Sequence, residues 1–308
     1  SLINILKKKK NYKINLIIND TKLTRKYTQR NLYNFNNYFF KNENIFSYKK
    51  ILDKNSIIIF DTLGTNKSII QHLKKFLKLK VVSLEDISPG FRSCDLVINS
   101  KIFLNKLMIS KKSVFNSLKF TILKNEFSKK KFQKINIKKK IKILISSGGS
   151  DYKNILYKYS TKLLDLKNIK LSCLIGPGVE RKNKIFKLNN KVNLIKTPKN
   201  IKKVIESHDL IITSGGTFMF ECVSLGKLVL VFENYNHQKN IINYLKKKKV
   251  IIKLSNNVSQ LKRNVKDILF DILYKPIKIS KIQKRAYHLI DGKGANRSIY
   301  LINKIIKM

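Results

Sequence analysis

Cysteine, histidine, arginine and acidic residues are all scarce in this chain, and each scarcity narrows the chemistry open to it. The three cysteines, Cys94, Cys173 and Cys222, are odd in number and show no CxxC spacing, and no histidine cluster stands beside them. This excludes a disulfide framework and a thiolate metal site. It predicts reduced core thiols in a cytoplasmic protein, with no metal and no cofactor. No apolar run approaches bilayer length and no signal peptide opens the chain, so no transmembrane segment is expected. The formal charge is +48, from 66 basic against 18 acidic residues, yet only seven of the basic residues are arginine. Lysine is inflated together with Ile, Asn, Tyr and Phe, all residues of AT-rich codons, so coding bias accounts for it. A dedicated nucleic-acid binder uses arginine for bidentate contacts. The lysines are also spread over short runs (Lys7–Lys10, Lys129–Lys131, Lys138–Lys140, Lys246–Lys249). Weak anion binding is expected, specific nucleic-acid recognition is not, and a monomer is favoured.

What is present is a folded α/β pattern. At 308 residues and 43% apolar content, the chain suits two domains. Residues 1–125 alternate strands with helices: Lys13–Ile18 after an amphipathic helix at the start, Ser56–Asp61, a helix Ser68–Leu79, Lys80–Leu84 and Asp95–Asn99. Such alternation predicts a parallel sheet covered on both faces. The polar, lysine-dense stretch 125–140 places a boundary that gives domains 1–135 and 136–308. The second half alternates again: strands Ile141–Ser146, Lys170–Ile175, Val192–Ile195, Asp209–Ser214, Leu228–Phe232 and Val250–Leu254, with helices Asn154–Leu166, Arg181–Leu188, Ile201–Ser207, Phe218–Leu225, His237–Leu245 and Val258–Leu273. The chain ends in an amphipathic helix after Asp291–Ala295. Both halves read as doubly wound Rossmann-like domains.

Three glycine turns of the second half follow strands: Gly148-Gly149-Ser150, Gly176-Pro177-Gly178 and Gly215-Gly216-Thr217. Parallel strands carry their carboxyl ends to one edge, so the turns should meet there. A glycine turn entering a helix lets backbone N–H groups approach a phosphate, though any one such turn serves packing equally well. None matches the P-loop or the spaced dinucleotide fingerprint, which disfavours ATPase and dehydrogenase chemistry. Converging donors suit a diphosphate, as in a nucleotide sugar. Gly226 suits a left-handed helix end. In the first half, Glu85-Asp86-Ile87-Ser88-Pro89-Gly90 follows a strand's carboxyl end and is either part of a ligand edge or a plain Pro-Gly turn.

In order, Ser146-Ser147-Gly148-Gly149-Ser150-Asp151, Ile175-Gly176-Pro177-Gly178, Ser214-Gly215-Gly216-Thr217 with Glu221, Gln238, and Asp291-Gly292-Lys293-Gly294-Ala295 form a series. With Glu85–Gly90 and Cys94–Asn99, it resembles the UDP-sugar hydrolases of pseudaminic acid biosynthesis and their spore-coat polysaccharide relatives. These are similar in turn to MurG-type glycosyltransferases of the GT-B fold. The resemblance covers roughly residues 80–300 and is carried by order and spacing. It implies two Rossmann-like domains with the ligand cleft between them, the last helix returning to the first domain, and a UDP-sugar as partner.

By that resemblance, Gly215, Gly216 and Thr217 bind the diphosphate, with Gly148, Gly149 and Ser150 closing from the facing turn. Glu221 accepts the ribose hydroxyls, Gln238 reaches sugar or phosphate, and backbone near Ile195–Thr197 receives the base. The family's strand and glycine-rich loop with its histidine base would precede Ser1, so the catalytic group is unassigned. His237, beside Gln238, is either a proton carrier or solvent-facing. The implied reaction is hydrolysis that releases UDP from a diacetamido-trideoxy sugar. A glycosyltransferase, a truncated inactive member and a non-enzymatic polyanion binder are the alternatives.

Overall fold

In the computed structural model the described residues are 13–19, 36–40, 52–53, 55–100, 113–128, 131–135, 140–255 and 257–306, with Leu2 and Leu6. Most of the expected first helix lies outside them. The chain divides into two compact units, 1–122 with 293–308, and 123–292. The division falls after Ile122, ahead of the lysine-dense stretch used to set the boundary at 135. Apolar side chains explain why: Leu123 and Phe127 are buried, and Ile135 packs on the core of the second unit.

In the first unit β1 (Asn15–Asn19) pairs in parallel with β2 (Asn36–Phe40). Four further strands, β3 (Ile57–Asp61), β4 (Lys80–Leu84), β5 (Leu96–Asn99) and β6 (Val114–Asn116), form a parallel sheet in that order. Between β3 and β4 runs α1 (Lys67–Lys75), started by the Asn66 side chain accepting from the Ser68 N–H at 2.9 Å. Alternate residues divide the sheet's faces. Val81 and Val97 meet Ile69, Ile70 and Leu73 of α1, while Val82, Leu84, Leu96 and Ile98 meet the chain's last helix. Burial on both faces is why β4 and β5 read as continuous apolar runs.

The second unit holds β7 (Ile141–Ser146), α2 (Ile155–Leu163), β8 (Ile169–Ile175), β9 (Asn193–Lys196), α3 (Ile201–Glu206) and β10 (Leu210–Ser214). It continues with α4 (Thr217–Ser224), β11 (Leu228–Phe232), α5 (Lys239–Lys247), β12 (Ile252–Lys253), α6 (Leu261–Tyr274) and α7 (Pro276–Leu289). The last helix, α8 (Gly294–Ile306), belongs to the first unit, where Ala295, Ile299 and Ile302 are buried. The sheet is parallel throughout, in the order β12-β11-β10-β7-β8-β9.

Several sequence expectations change. The helix expected at 181–188 is a 3-10 turn, Lys184–Leu188, capped by Asn183. The stretch 250–254 gives two strand residues. Helix α7 was not anticipated, because Pro276-Ile277-Lys278-Ile279 alternates like a strand. Proline at a helix's first position pre-sets it, and Ile279, Gln283 and Ala286 then bury one helical face. Among the described residues no helix is long and apolar enough to cross a membrane.

Gly226 has the expected left-handed backbone, φ +68°, and a Cβ there would lie 2.9 Å from Cβ of Tyr287. Its carbonyl accepts from Nε2 of Gln283 at 3.0 Å, tying the end of α4 to α7. Gly226→Ala is predicted to destabilise the protein by about 1–3 kcal/mol, read as a lowered urea midpoint; an unchanged midpoint refutes this packing. Lys278 (2.6 Å) and then Lys275 (3.3 Å) hold the Asp271 carboxyl below its ordinary pKa of 3.8. A depressed acid stabilises above its unfolded pKa and loses that effect as pH falls through the folded value. The melting-temperature gap between wild type and Asp271→Asn should therefore be constant near neutrality and close below about pH 4.

Candidate functional site

Strand β7 is followed outward on one side by β8 and β9, and on the other by β10, β11 and β12. The winding therefore reverses between β7 and β10, the place where open α/β sheets leave a crevice at the strands' carboxyl ends. The turns after these two strands are the ones at Gly148 and Gly215, and they touch. Ser214 Oγ donates to the Ser147 carbonyl at 3.1 Å. On the other flank Gly178 N–H donates to the Gly149 carbonyl at 2.8 Å. A Cβ on Gly176 would lie 2.2 Å from the Gly148 oxygen, so only glycine permits that approach. The structure brings all three glycine turns together.

The two helix starts beside the switch point differ. Asp151 is buried, and its carboxylate accepts from Ile155 N (2.8 Å), Leu156 N (3.2 Å) and Asn183 Nδ2 (3.2 Å). It thus occupies the amino end of α2 with the protein's own negative charge. Burial pushes its pKa up, while these donors pull it down. The Ser147 hydroxyl is buried without a partner of hydrogen-bond geometry, yet lies close enough to Asp151 to add to that pull. At α4 no side chain caps the helix: Gly216 is the N-cap residue, and a Cβ there would have nothing within 4 Å. Thr217 follows, exposed, and Glu221 is half-buried one turn further along the same face.

The remaining expected residues take distinct places. Gly149 is exposed and open, Ser150 half-buried. Gly215 is buried; a Cβ there would meet Ile242 at 2.8 Å and Cβ of Gln238 at 3.0 Å. Gln238 is buried behind that turn, and its Oε1 accepts from Asn234 N at 3.1 Å, so it braces the loop after β11. His237 is exposed and stacked on Tyr235, with ring centroids 5.6 Å apart. Thr197, after β9, has φ +40°. Sequence reasoning assigned nothing to Lys153, whose ammonium reaches the Asn234 carbonyl (3.1 Å) across this edge. Its place within the run after β7 was the available signal.

Other candidates fall away on geometry. Asp86 is fully buried and accepts from Thr65 Oγ1, Ser83 Oγ (3.0 Å), Ser88 N (2.8 Å) and Ser88 Oγ (2.7 Å). It organises its own loop. Burial drives the Cys94 and Cys173 thiols up to about 12, which leaves no thiolate nucleophile at neutral pH. His208 is held by Val204 O (2.7 Å) and Ser172 Oγ (2.9 Å), beside a cavity of about 580 Å³. That cavity includes Lys142, Lys170 and Asn193, at the amino ends of β7, β8 and β9, opposite the glycine turns.

The architecture matches solved enzymes over nearly its whole length. Acinetobacter baumannii MurG superposes with a TM-score of 0.64 at 12% identity, covering 98% of this chain and 94% of that one. A Listeria monocytogenes protein described as a UDP-N-acetylglucosamine 2-epimerase gives 0.58 at 11%, covering 97% and 89%. The fold is GT-B.

No family model matches this GT-B chain. Sequence relatives include an uncharacterised Methanocaldococcus jannaschii protein, 27% identical over 63% of this chain. The UDP-2,4-diacetamido-2,4,6-trideoxy-beta-L-altropyranose hydrolase of Campylobacter jejuni is 24% identical over 64% of it. The spore coat polysaccharide biosynthesis protein SpsG of Bacillus subtilis is 22% identical over 60%. The matches span 44%, 73% and 58% of those three proteins. The GT-B chain is thus related to proteins of sugar-nucleotide and polysaccharide metabolism.

Because Asp151 fills the end of α2, Asp151→Ala is predicted to cost about 1–2 kcal/mol of stability, measured by chemical denaturation. Full stability in that variant would mean the carboxylate does not cap the helix.

Proposed function

We propose that this chain binds a UDP-sugar with its diphosphate at Gly216 and Thr217, and hydrolyses the junction between sugar and diphosphate to release UDP. The observation that carries the reading is the unequal pair of helix starts at the switch point. One is filled by Asp151, while the other has no capping side chain and opens at Gly216. Gly148, Gly149 and Ser150 close on the diphosphate from the facing turn, with Lys153 beside them. Gly215 and Gln238 fix the turn from behind. Glu221 accepts the ribose hydroxyls, and backbone near Thr197 takes the base.

In the reaction the water oxygen bonds to the sugar side of the junction. The bond to the diphosphate breaks, UDP leaves with the electron pair, and backbone N–H groups stabilise its charge. One water proton passes to a base; His237, exposed at this edge, is the candidate. The related Campylobacter hydrolase supports a diacetamido-trideoxy sugar as substrate, within nonulosonic acid or surface polysaccharide synthesis. The MurG likeness favours a second reading, transfer of the sugar to an acceptor on the same scaffold.

Calorimetric titration with UDP tests the site. Glu221→Ala is predicted to weaken UDP binding about tenfold, the loss of hydrogen bonds to a charged group. Gly216→Val is predicted to keep the fold, at about 1 kcal/mol for a poorer N-cap, and to abolish binding by filling the open side. Equal affinity in both variants and wild type would sink the assignment. UDP release from UDP-sugars without acceptor supports hydrolysis; release only with an acceptor would overturn it in favour of transfer.

A further inference from the structure

Four large apolar side chains lie exposed where α6 meets α7: Phe270 (52%), Leu273 (46%), Tyr274 (70%) and Ile277 (71%). Their spacing, i, i+3, i+4 and i+7, puts them on one side of the bend at Lys275. The Phe270 and Tyr274 rings stand 4.6 Å apart, and Lys275 lies over the Phe270 ring at 5.5 Å. Beside them is a groove of about 370 Å³, walled by Ile272, Ile277 and Ile279 and including Lys281 and Lys284. Single exposed apolar residues need no explanation, but four together beside an apolar groove do.

We infer that this tip inserts into the headgroup region of an anionic lipid surface, as a peripheral contact separate from the nucleotide-sugar site. Charge selects the occupant. Residues 261–289 carry eight Lys and Arg against two Asp, and both acids lie in α6. The one at 271 is already bonded to Lys275 and Lys278. A second copy docking through the same face would set these cations against themselves, on chains of formal charge +48. An anionic bilayer instead pairs with the lysines, whose stems lie along it, while aromatic and aliphatic tips enter the boundary.

The experiment is co-sedimentation of the whole chain with phosphatidylglycerol-containing vesicles and with pure phosphatidylcholine vesicles. Salt is set at about 150 mM, where the screening length is about 8 Å. Wild type is expected to bind the anionic vesicles in preference. The double substitution Phe270→Ser/Ile277→Ser should lower partitioning at least tenfold, with charge and melting temperature unchanged. Wild-type failure to bind, or equal binding by the double variant, overturns the inference and leaves only general lysine attraction. A wild-type dimer that the same variant dissolves also overturns it, by making the face an interface between copies.

Discussion

The ligand edge depends on one pairing, that of β7 with β10. In the register Ile143 lies opposite Leu210 and Ser146 opposite Thr213, and every residue of β10 is buried. Only this neighbour relation sets the turns at Gly148 and Gly215 side by side, where Ser214 reaches the Ser147 carbonyl. A shift of one residue would turn both apolar faces outward and part the turns together. Sheet assembly and site assembly are therefore the same event, and the site cannot form on either half of the sheet alone.

Scarce acid is used with economy. In a chain of charge +48, the deeply buried carboxylates of Asp86 and Asp151 are held by hydroxyl, amide and backbone donors. Neutral donors satisfy a buried carboxylate without the desolvation cost of bringing a second charge inside. The lysines stay at the rim, and the crevice keeps a positive surround without an ammonium locked in its floor. The one helix start beside the switch point that lacks a capping side chain gains most from that surround.

Strands were legible because parallel sheets buried on both faces write themselves as apolar runs; Lys80–Leu84, Ile141–Ser146 and Leu228–Phe232 keep their expected bounds. Helix α7 was hidden because its opening Ile-Lys-Ile alternates with period two, and tertiary burial of Ile279, Gln283 and Ala286 decided otherwise. The convergence of glycine turns followed from parallel topology. The inequality between them did not, since nothing local says that Asp151 folds back onto Ile155 and Leu156. Gln238 behaved likewise: its place beside the site was readable, its bond to Asn234 was not. Asp86 looked like an exposed ligand-edge acid until its four donors were seen.

The link from Gly226 to Gln283 has a mechanical meaning. Helix α4 starts at the open glycine turn and ends clamped to α7, whose first residues form the apolar tip. With a Tyr287 side chain wedged against Gly226, α4 has no room to slide along its axis. The two helices act as a single strut, so a push at either end is delivered to the other instead of being absorbed in a loop.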